Sequence, residues 1–433
     1  MLWGSFYVAK LALEIIPNNN INFIPKEAKF VAKIDGRQLF EKGFRSIVLD
    51  EDHEIITLMD EILNRKASGE EQKSLGIAFH SDIIFFRVEI RNEDVEGYIF
   101  NLSSQKKFQE NISSILKKNQ TSAHNKKVGI ILSLTEGKES KIELEDLQIQ
   151  ADLMINKKSS FDLKKIAPDK DNSVLQSWYN TGLIDDDGII TNSEVNFQLL
   201  DNAIHVNGDL EFEGHKPSEK RQRLHPKNTH LTSTIVSSEI TDSINVFFKA
   251  LNLKEADIRA ISINYHGTEI VEEPSFFIVP YIDLLIETHT DYDIKPSIDS
   301  AAVIDSDISF NENYFEYGGK KFYFEQISPK LFYIGVTENP EIEQMENDIY
   351  LDCSGSLTHL TRFYGEGIMR KFLEIIPLYS ASRDLASKIE SVEIKIKTTK
   401  GNKGNLHGEI IFNDESYALN ALIHFAIDGH IIK

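Results

Sequence analysis

Residues 95–116 read VEGYIFNLSSQKKFQENISSIL, and this stretch predicts the local architecture of the chain. In its first half, Tyr98 and Phe100 alternate with Ile99 at the two-residue period of a β-strand. A short polar joint follows the alternation. The stretch therefore begins with a predicted β-strand.

The second half of the stretch predicts an amphipathic helix. Ser103 or Ser104 can cap the first turn, because a serine side chain accepts a hydrogen bond from a free backbone N–H at a helix start. The apolar residues that follow have the spacing of one helical stripe, and they are Phe108, Ile112, Ile115 and Leu116. A strand followed by such a helix predicts a sheet with a helix packed on one face.

Strand patterns recur along the chain with helices between them. Alternating runs at 83–90 and 95–101 predict neighbouring strands, and the runs 194–200 and 203–213 predict a hairpin about Asp201 and Asn202. Strands are also predicted at 141–150 and 153–155, a helical turn at 174–180, a hairpin around Ser328 and Pro329, and closing strands at 391–398 and 406–412. The pattern indicates the α+β class, with two similar α+β halves, mainly antiparallel sheets, amphipathic helices and a β-rich middle.

The length of 433 residues allows two or three domains of roughly 100–200 residues each. Changes in composition predict the boundaries. We expect an apolar segment and linker at 1–22, an α+β domain at 23–125, a β-rich middle region at 126–235 and a second α+β domain at 236–433. The middle region is predicted to end in a polar loop at 214–230.

Composition excludes several kinds of function. The formal net charge of −21 repels phosphate backbones, so we expect no nucleic-acid partner. Cys353 is the single cysteine of the sequence, so neither an intramolecular disulfide nor a cysteine-based zinc cluster can form. We interpret it as an inert, buried thiol. The sequence also contains no phosphate-binding loop, no nucleophile elbow and no HExxH motif, so we predict a protein without catalytic activity.

The start of the sequence is apolar. Residues 1–16, MLWGSFYVAKLALEII, include Lys10 and Glu14 and are shorter than the ~20 apolar residues of a membrane-spanning helix. Two interpretations stand: the segment is the end of a membrane anchor, or it is an amphipathic helix docked on the body or on a membrane surface. A polar linker begins at Pro17.

One acidic loop has the spacing of a calcium site. In residues 183–194, LIDDDGIITNSE, Asp185, Asp187 and Glu194 take the third, fifth and twelfth positions of a calcium-binding loop. Leu183 occupies the first position, where a carboxylate is expected, and the residues after Glu194 alternate as a strand. A β-turn with an exposed acidic face is the alternative interpretation.

Three stretches together resemble a known group of proteins. They are FIPKEAKFVAKIDGRQLF (23–40), GYIFNLSSQKKFQENI (97–112) and ESVEIKIKTTKGNKGNLHGEIIF (390–412). With the apolar start, they are similar to uncharacterised envelope proteins of Bacteroidota, which begin with a lipoprotein signal or a single membrane anchor. The resemblance implies an exported, non-enzymatic pair of domains. This sequence departs from the pattern because it lacks a lipobox cysteine and a full anchor.

These observations lead to one functional expectation with two alternatives. We expect a non-catalytic, envelope-associated binding or assembly protein on the periplasmic side, which contacts other envelope proteins and the membrane through residues 1–16. The first alternative is a carrier of an apolar, lipid-like ligand, because alternating strands and amphipathic helices can enclose a cavity. The second is a calcium-dependent enzyme centred on Asp185, Asp187 and Glu194. Apart from calcium in this second alternative, no cofactor is expected.

Overall fold

The protein is described here from a computed structural model. The described residues are 20–38, 76–78, 81–134, 142–157, 173–180, 190–212, 221–227, 229–235, 245, 248–249, 254–271, 277–298, 309–317, 319–346, 348–356, 385, 387–399, 402–413 and 418. The chain divides into two compact units. Unit 1 comprises Met1–Asp201 and Val206–Leu210, and unit 2 comprises Asn202–His205 and Glu211–Lys433.

Unit 1 is an antiparallel sheet with helices on both faces. Its strands are β1 (Ala28–Ile34), β2 (Ile83–Ile90), β3 (Glu93–Asn101), β4 (Gln120–His124), β5 (Val128–Leu134), β6 (Leu175–Asn180) and β7 (Ile190–Leu199). Its described helices include α1 (Gln105–Asn111) and α2 (Leu144–Asn156), and 3₁₀ turns lie at Asn20–Phe23 and Ile112–Ser114. The strands pair in the order β7-β6-β1-β2-β3-β5-β4. The next strand, β8 (Ala203–Phe212), is divided between the two units.

Unit 2 is built from strands in nearly all of its described part. They are β9 (Arg221–Leu224), β10 (Leu231–Ile235), β11 (Ile258–Val271), β12 (Phe277–Thr288), β13 (Ser309–Phe310), β14 (Tyr314–Tyr317), β15 (Lys320–Ser328), β16 (Leu331–Gly335), β17 (Ile342–Met345), β18 (Ile349–Gly355), β19 (Ile389–Thr398) and β20 (Lys403–Phe412). The main sheet has the order β13-β14-β15-β16-β12-β11-β10-β18-β19-β20. Strands β9 and β17 form a separate ribbon.

In residues 95–116 the strand, the serine cap and the start of the helix are confirmed, but α1 ends at Asn111, a 3₁₀ turn follows, and Ile115 of the predicted apolar stripe is 50% exposed. Strand β3 ends at Asn101, the Ser104 side chain accepts a hydrogen bond from the Lys107 backbone N–H at 3.3 Å, and α1 begins at the next residue. Phe108 and Ile112 are buried and pack with Phe100 in one cluster. The helix therefore covers the sheet at the end of β3.

The main core of unit 1 lies on the other face of the sheet. Strands β2, β3 and β5 bury alternate apolar side chains there, and α2 packs Leu147, Ala151 and Ile155 against them. The Phe86 ring is fully buried and crosses the backbone of Gly97 on the neighbouring strand. A second apolar cluster, which includes Ile286 and Phe332, forms a core of unit 2.

The α+β class is confirmed, although antiparallel strands dominate it. Two local predictions were wrong. In the predicted strands at 141–150 and 153–155, the described residues from 144 onward form helix α2, whose buried residues recur at helical spacing against β4 and β5. Residues 174–180 do not form a helical turn, because β6 is hydrogen-bonded between β1 and β7.

Other sequence predictions can be compared with the described part of the chain. The hairpin at Ser328 and Pro329 is confirmed by the pairing of β15 with β16. Within the predicted polar loop at 214–230, residues 221–224 form β9. The three-domain division stays a prediction, and residues 1–16 lie outside the described residues. Across the residues that the structure does describe, no helix is long and apolar enough to cross a membrane.

Candidate functional site

The face of the unit 1 sheet opposite its main core carries a row of aromatic side chains across four strands. Tyr179 on β6, Phe30 on β1, Phe85 on β2 and Tyr98 on β3 form this aromatic row. Tyr179 and Phe30 are partners in the strand register, as are Phe85 and Tyr98. The ring centroids are 6.3 Å apart for Tyr179 and Phe30, 5.7 Å for Phe30 and Phe85, and 5.1 Å for Phe85 and Tyr98.

The row exists because these strands are apolar on both faces. In β2, IIFFRVEI, the even-numbered residues Ile84 and Phe86 face the main core, so Phe85 must point to the other side. In β3, Val95 and Ile99 face the core in the same way, and Tyr98 points outward. Antiparallel register then brings the outward aromatic residues of neighbouring strands together.

The row is partly open to solvent. Tyr98 is 37% exposed, and Phe30, Phe85 and Tyr179 are half-buried. At the end of the row beyond Tyr98, its register partner Ile131 on β5 packs against the cluster beneath α1. The apolar surface thus continues from a helix-covered region into a region where aromatic rings reach the surface.

An ion pair borders the row on one side. Arg87 and Glu96 are register partners on β2 and β3, and Arg87 Nη2 donates to Glu96 Oε1 over 2.7 Å. Burial, and secondly the negative charge of Glu96, raises the pKa of the Tyr98 hydroxyl above its ordinary value of 10.0. Tyr98 therefore stays protonated at neutral pH. The surface offers aromatic area, a hydroxyl that can donate, and a polar edge.

Unit 2 contains a cluster of hydrogen-bonded polar groups centred on Asp283. Asp283 is only 3% exposed and accepts five hydrogen bonds. Its Oδ1 atom accepts from the Tyr333 hydroxyl at 2.6 Å, the Val336 N–H at 2.9 Å and the Thr337 N–H at 3.1 Å. Its Oδ2 atom lies 2.8 Å from His266 Nε2 and accepts from Thr337 Oγ1 at 2.6 Å.

The hydrogen bonds of Asp283 serve to hold the fold. Burial alone would raise the pKa of Asp283, but hydrogen bonds from His266, Thr337 and Tyr333 outweigh it and lower that pKa below its ordinary value of 3.8. A carboxylate offers about four lone-pair positions. Three donors already surround Oδ1 and two surround Oδ2, so Asp283 has little capacity left to bind a substrate or a metal ion. The cluster fixes the end of β16 to β12.

Of the three predicted calcium residues, the structure describes only Glu194. Asp185 and Asp187 lie outside the described residues. Glu194 lies on β7 opposite Trp178, and burial, with a contribution from the charge of Asp209, raises the pKa of its carboxyl group. The described residues contain no cluster of three or more acidic, histidine or cysteine side chains that could hold a metal ion. The calcium site stays a prediction.

The sequence patterns did not predict the aromatic row. One signal was present. Strands such as IIFFRVEI carry large apolar residues at both odd and even positions, which indicates that both faces of the sheet are apolar. The sequence alone did not show which of these faces was left partly open.

Comparisons with known proteins add little. No protein-family model and no curated protein matches the chain. Among solved structures, crystal form III of a protein named TP0453 has a TM-score of 0.28 and 9% identity, covering 57% of this chain and 92% of that one. Crystal form I of TP0453 has a TM-score of 0.27 and 9% identity, covering 66% and 97%. Similarity this low supports no conclusion about function.

Proposed function

We propose that this protein is a non-catalytic binding or assembly protein of the cell envelope, and that it acts by protein–protein contact through the aromatic row. The observation that carries the proposal is the presence of four neighbouring aromatic side chains on a sheet face, with Tyr98 37% exposed. Exposed apolar patches with polar borders are typical of interaction sites.

The chemistry of the row suits a protein partner. Tyrosine and phenylalanine are enriched in the cores of protein interfaces, since they bury a large area with few rotatable bonds. Tyr98 combines an apolar ring with a hydroxyl that stays protonated, and the Arg87–Glu96 pair supplies charged groups for the rim. A partner that covers the row with apolar side chains and accepts a hydrogen bond from Tyr98 would match these features.

The proposal is tested by photo-crosslinking in the cells that produce the protein. The full chain carries p-benzoylphenylalanine in place of Tyr98, and the crosslinked products are identified by mass spectrometry. The matched control carries the same group at Ile149, which is 55% exposed on α2, the helix that covers the opposite face of the sheet. Crosslinking to one defined envelope protein from position 98, and not from position 149, supports the proposal.

A second variant separates contact from misfolding. Phe85→Ser removes the central ring of the row, and we expect it to abolish the crosslink from position 98. With Trp3 replaced by phenylalanine, the fluorescence of buried Trp178 reports whether unit 1 remains folded in this variant. No product from position 98, or equal products from both positions, would contradict a contact role for the row. Products that contain only cytosolic proteins would contradict the envelope assignment.

The internal similarity of the chain is also a proposal. We infer that the two α+β halves expected from the sequence share one fold. The predominance of antiparallel pairing in both units supports this inference. A crystal structure of the full chain tests it. The halves should superimpose with the same strand order, and different orders would refute the idea.

A further inference from the structure

The core of unit 1 ends in a group of buried polar side chains at one end of the neighbouring strands β6, β1, β2 and β3. We call Gln176, Lys33, Asp82 and Asn101 the polar end. Lys33 on β1 is the register partner of Gln176 on β6. The pairing of β2 with β3 places Asp82, just before β2, beside Asn101, the last residue of β3. The exposed fractions are 8% for Gln176, 5% for Lys33, 3% for Asp82 and 0% for Asn101.

The polar end lies on the core side of the sheet. Asn101 shares its face with Ile99 and Val95, which belong to the main core, because side chains alternate along β3. Its register partner on β5 is Val128, another core residue. The amide of Asn101 therefore lies on a face of β3 where the alternation of the strand predicts an apolar side chain.

The two charges at the polar end balance each other. Lys33 Nζ lies 3.7 Å from Asp82 Oδ2, which is an ion pair but is longer than a direct hydrogen bond. A buried charge is tolerated when an opposite charge accompanies it. The pair leaves the polar end electrically neutral, so an added anion or cation would be a charge without a counterion in the core.

Two amide side chains at the polar end have polar atoms without partners. Throughout the described part of unit 1, neither Nδ2 nor Oδ1 of Asn101 has a hydrogen-bond partner, and Oε1 of Gln176 has none either. Native proteins leave few buried polar atoms unpaired, and an ordered water or a bound group commonly supplies the missing partner. These atoms comprise two acceptors and one donor.

We propose that the polar end is an internal binding site for neutral hydroxyl groups. A hydroxyl group can donate to Asn101 Oδ1 or accept from Asn101 Nδ2, and a separate hydroxyl group can donate to Gln176 Oε1, which lies three strands away in the order β6-β1-β2-β3. Neither brings a charge to the balanced Lys33–Asp82 pair. The hydroxyl comes from one of two sources. It belongs either to ordered water or to the alcohol head of an amphiphile whose apolar tail lies along the core residues.

A crystal structure of the full chain at about 1.5 Å, a resolution at which ordered water is visible, tests the site. Native and denaturing mass spectrometry of the same preparation separate the two sources. Separate spherical density within hydrogen-bonding distance of Asn101, with a mass equal to that of the polypeptide, identifies water. A discrete added mass that is lost on denaturation, with density that continues into the core, identifies an amphiphile.

Either result supports the site, and a third result overturns it. The proposal is wrong if the density shows Asn101 and Gln176 bonded directly to protein groups, with no other density beside them. The variant Asn101→Leu should lose the bound density or the added mass. The matched variant Thr121→Val, which changes another buried polar residue of unit 1, should retain it. Retention of the bound group in Asn101→Leu would also refute the assignment.

Discussion

Gly97 lies at the point where strand β3 passes beneath the ring of Phe86, and the variant Gly97→Ala tests how tightly this core is packed. An added Cβ would lie 2.0 Å from Phe86 Cζ, 2.4 Å from Cε1 and 2.7 Å from Cε2. Carbon atoms in contact are normally about 3.5–4.0 Å apart. The ring would have to move by about 1.5 Å to restore an ordinary contact.

The ring has little room for such a movement. Phe86 is 0% exposed, and its register partners Val31 and Gly97 are part of the same packed face. Overpacking a core commonly costs about 1–3 kcal/mol and sometimes more. Because the overlap involves three ring atoms, we expect Gly97→Ala to lower the free energy of unfolding by about 3 kcal/mol. The unfolding equilibrium constant would rise by about a hundredfold.

The assay uses the fluorescence of Trp178, which is 4% exposed and packs in the same core. The chain has two tryptophans, so a Trp3→Phe background makes Trp178 the single reporter. Urea denaturation of the full chain then gives the free energy of unfolding of unit 1. The second-site change Phe86→Leu provides the control, because a shorter side chain leaves space for the added methyl group.

Gly97→Ala should be less harmful in the Phe86→Leu background than in the wild type. The double variant should therefore be more stable than the sum of the two single effects predicts. The reasoning is refuted if Gly97→Ala changes the free energy of unfolding by less than about 0.5 kcal/mol, the usual range for surface substitutions. It is also refuted if the two effects add.

Three further predictions concern particular hydrogen bonds. Asp283→Asn should destabilise unit 2 by about 2–3 kcal/mol at pH 7, since charge-assisted hydrogen bonds are lost. Because the pKa of Asp283 is lower in the folded protein than its ordinary value of 3.8, the ionised carboxylate stabilises the fold at pH values above 3.8. This stabilisation is lost as the pH falls through the pKa of the folded state. Far-UV circular dichroism during urea denaturation should therefore show the difference between wild type and variant shrinking below pH 4, and a constant difference would contradict this. Ser104→Ala should cost unit 1 about 0.5–1 kcal/mol by Trp178 fluorescence, because α1 loses its cap, whereas Ser104→Asp should cost less. Arg223→Lys should speed thermolysin cleavage near β9 several-fold, because lysine cannot bridge Glu343 and Asp352 as arginine does at 2.7 and 2.9 Å, and an unchanged rate would exclude this role.

Elements with strong local signals could be predicted from the sequence. The strand, the serine cap and the start of α1 were all predicted, because their signals lie within a few residues of one another. The hairpin of β15 and β16 was predicted for the same reason. Helix α2 was not, because the alternation of Leu147 and Ile149 with polar residues resembles a strand. The helical spacing of Leu147, Ala151 and Ile155 became decisive only through packing against β4 and β5.

The sequence by itself determined that the chain is acidic, that it folds as α+β, and that strands such as β2 are apolar on both faces. Only the tertiary structure decided which strands are neighbours and which face of the sheet is left partly open. Tyr179 and Phe30 are far apart along the chain, and so are Gln176 and Lys33, yet the order β6-β1-β2-β3 makes each pair direct neighbours. Side-chain alternation is a local property, whereas strand order and register depend on the free energy of packing the whole sheet. The aromatic row and the polar end therefore follow from the fold and could not be predicted from the sequence.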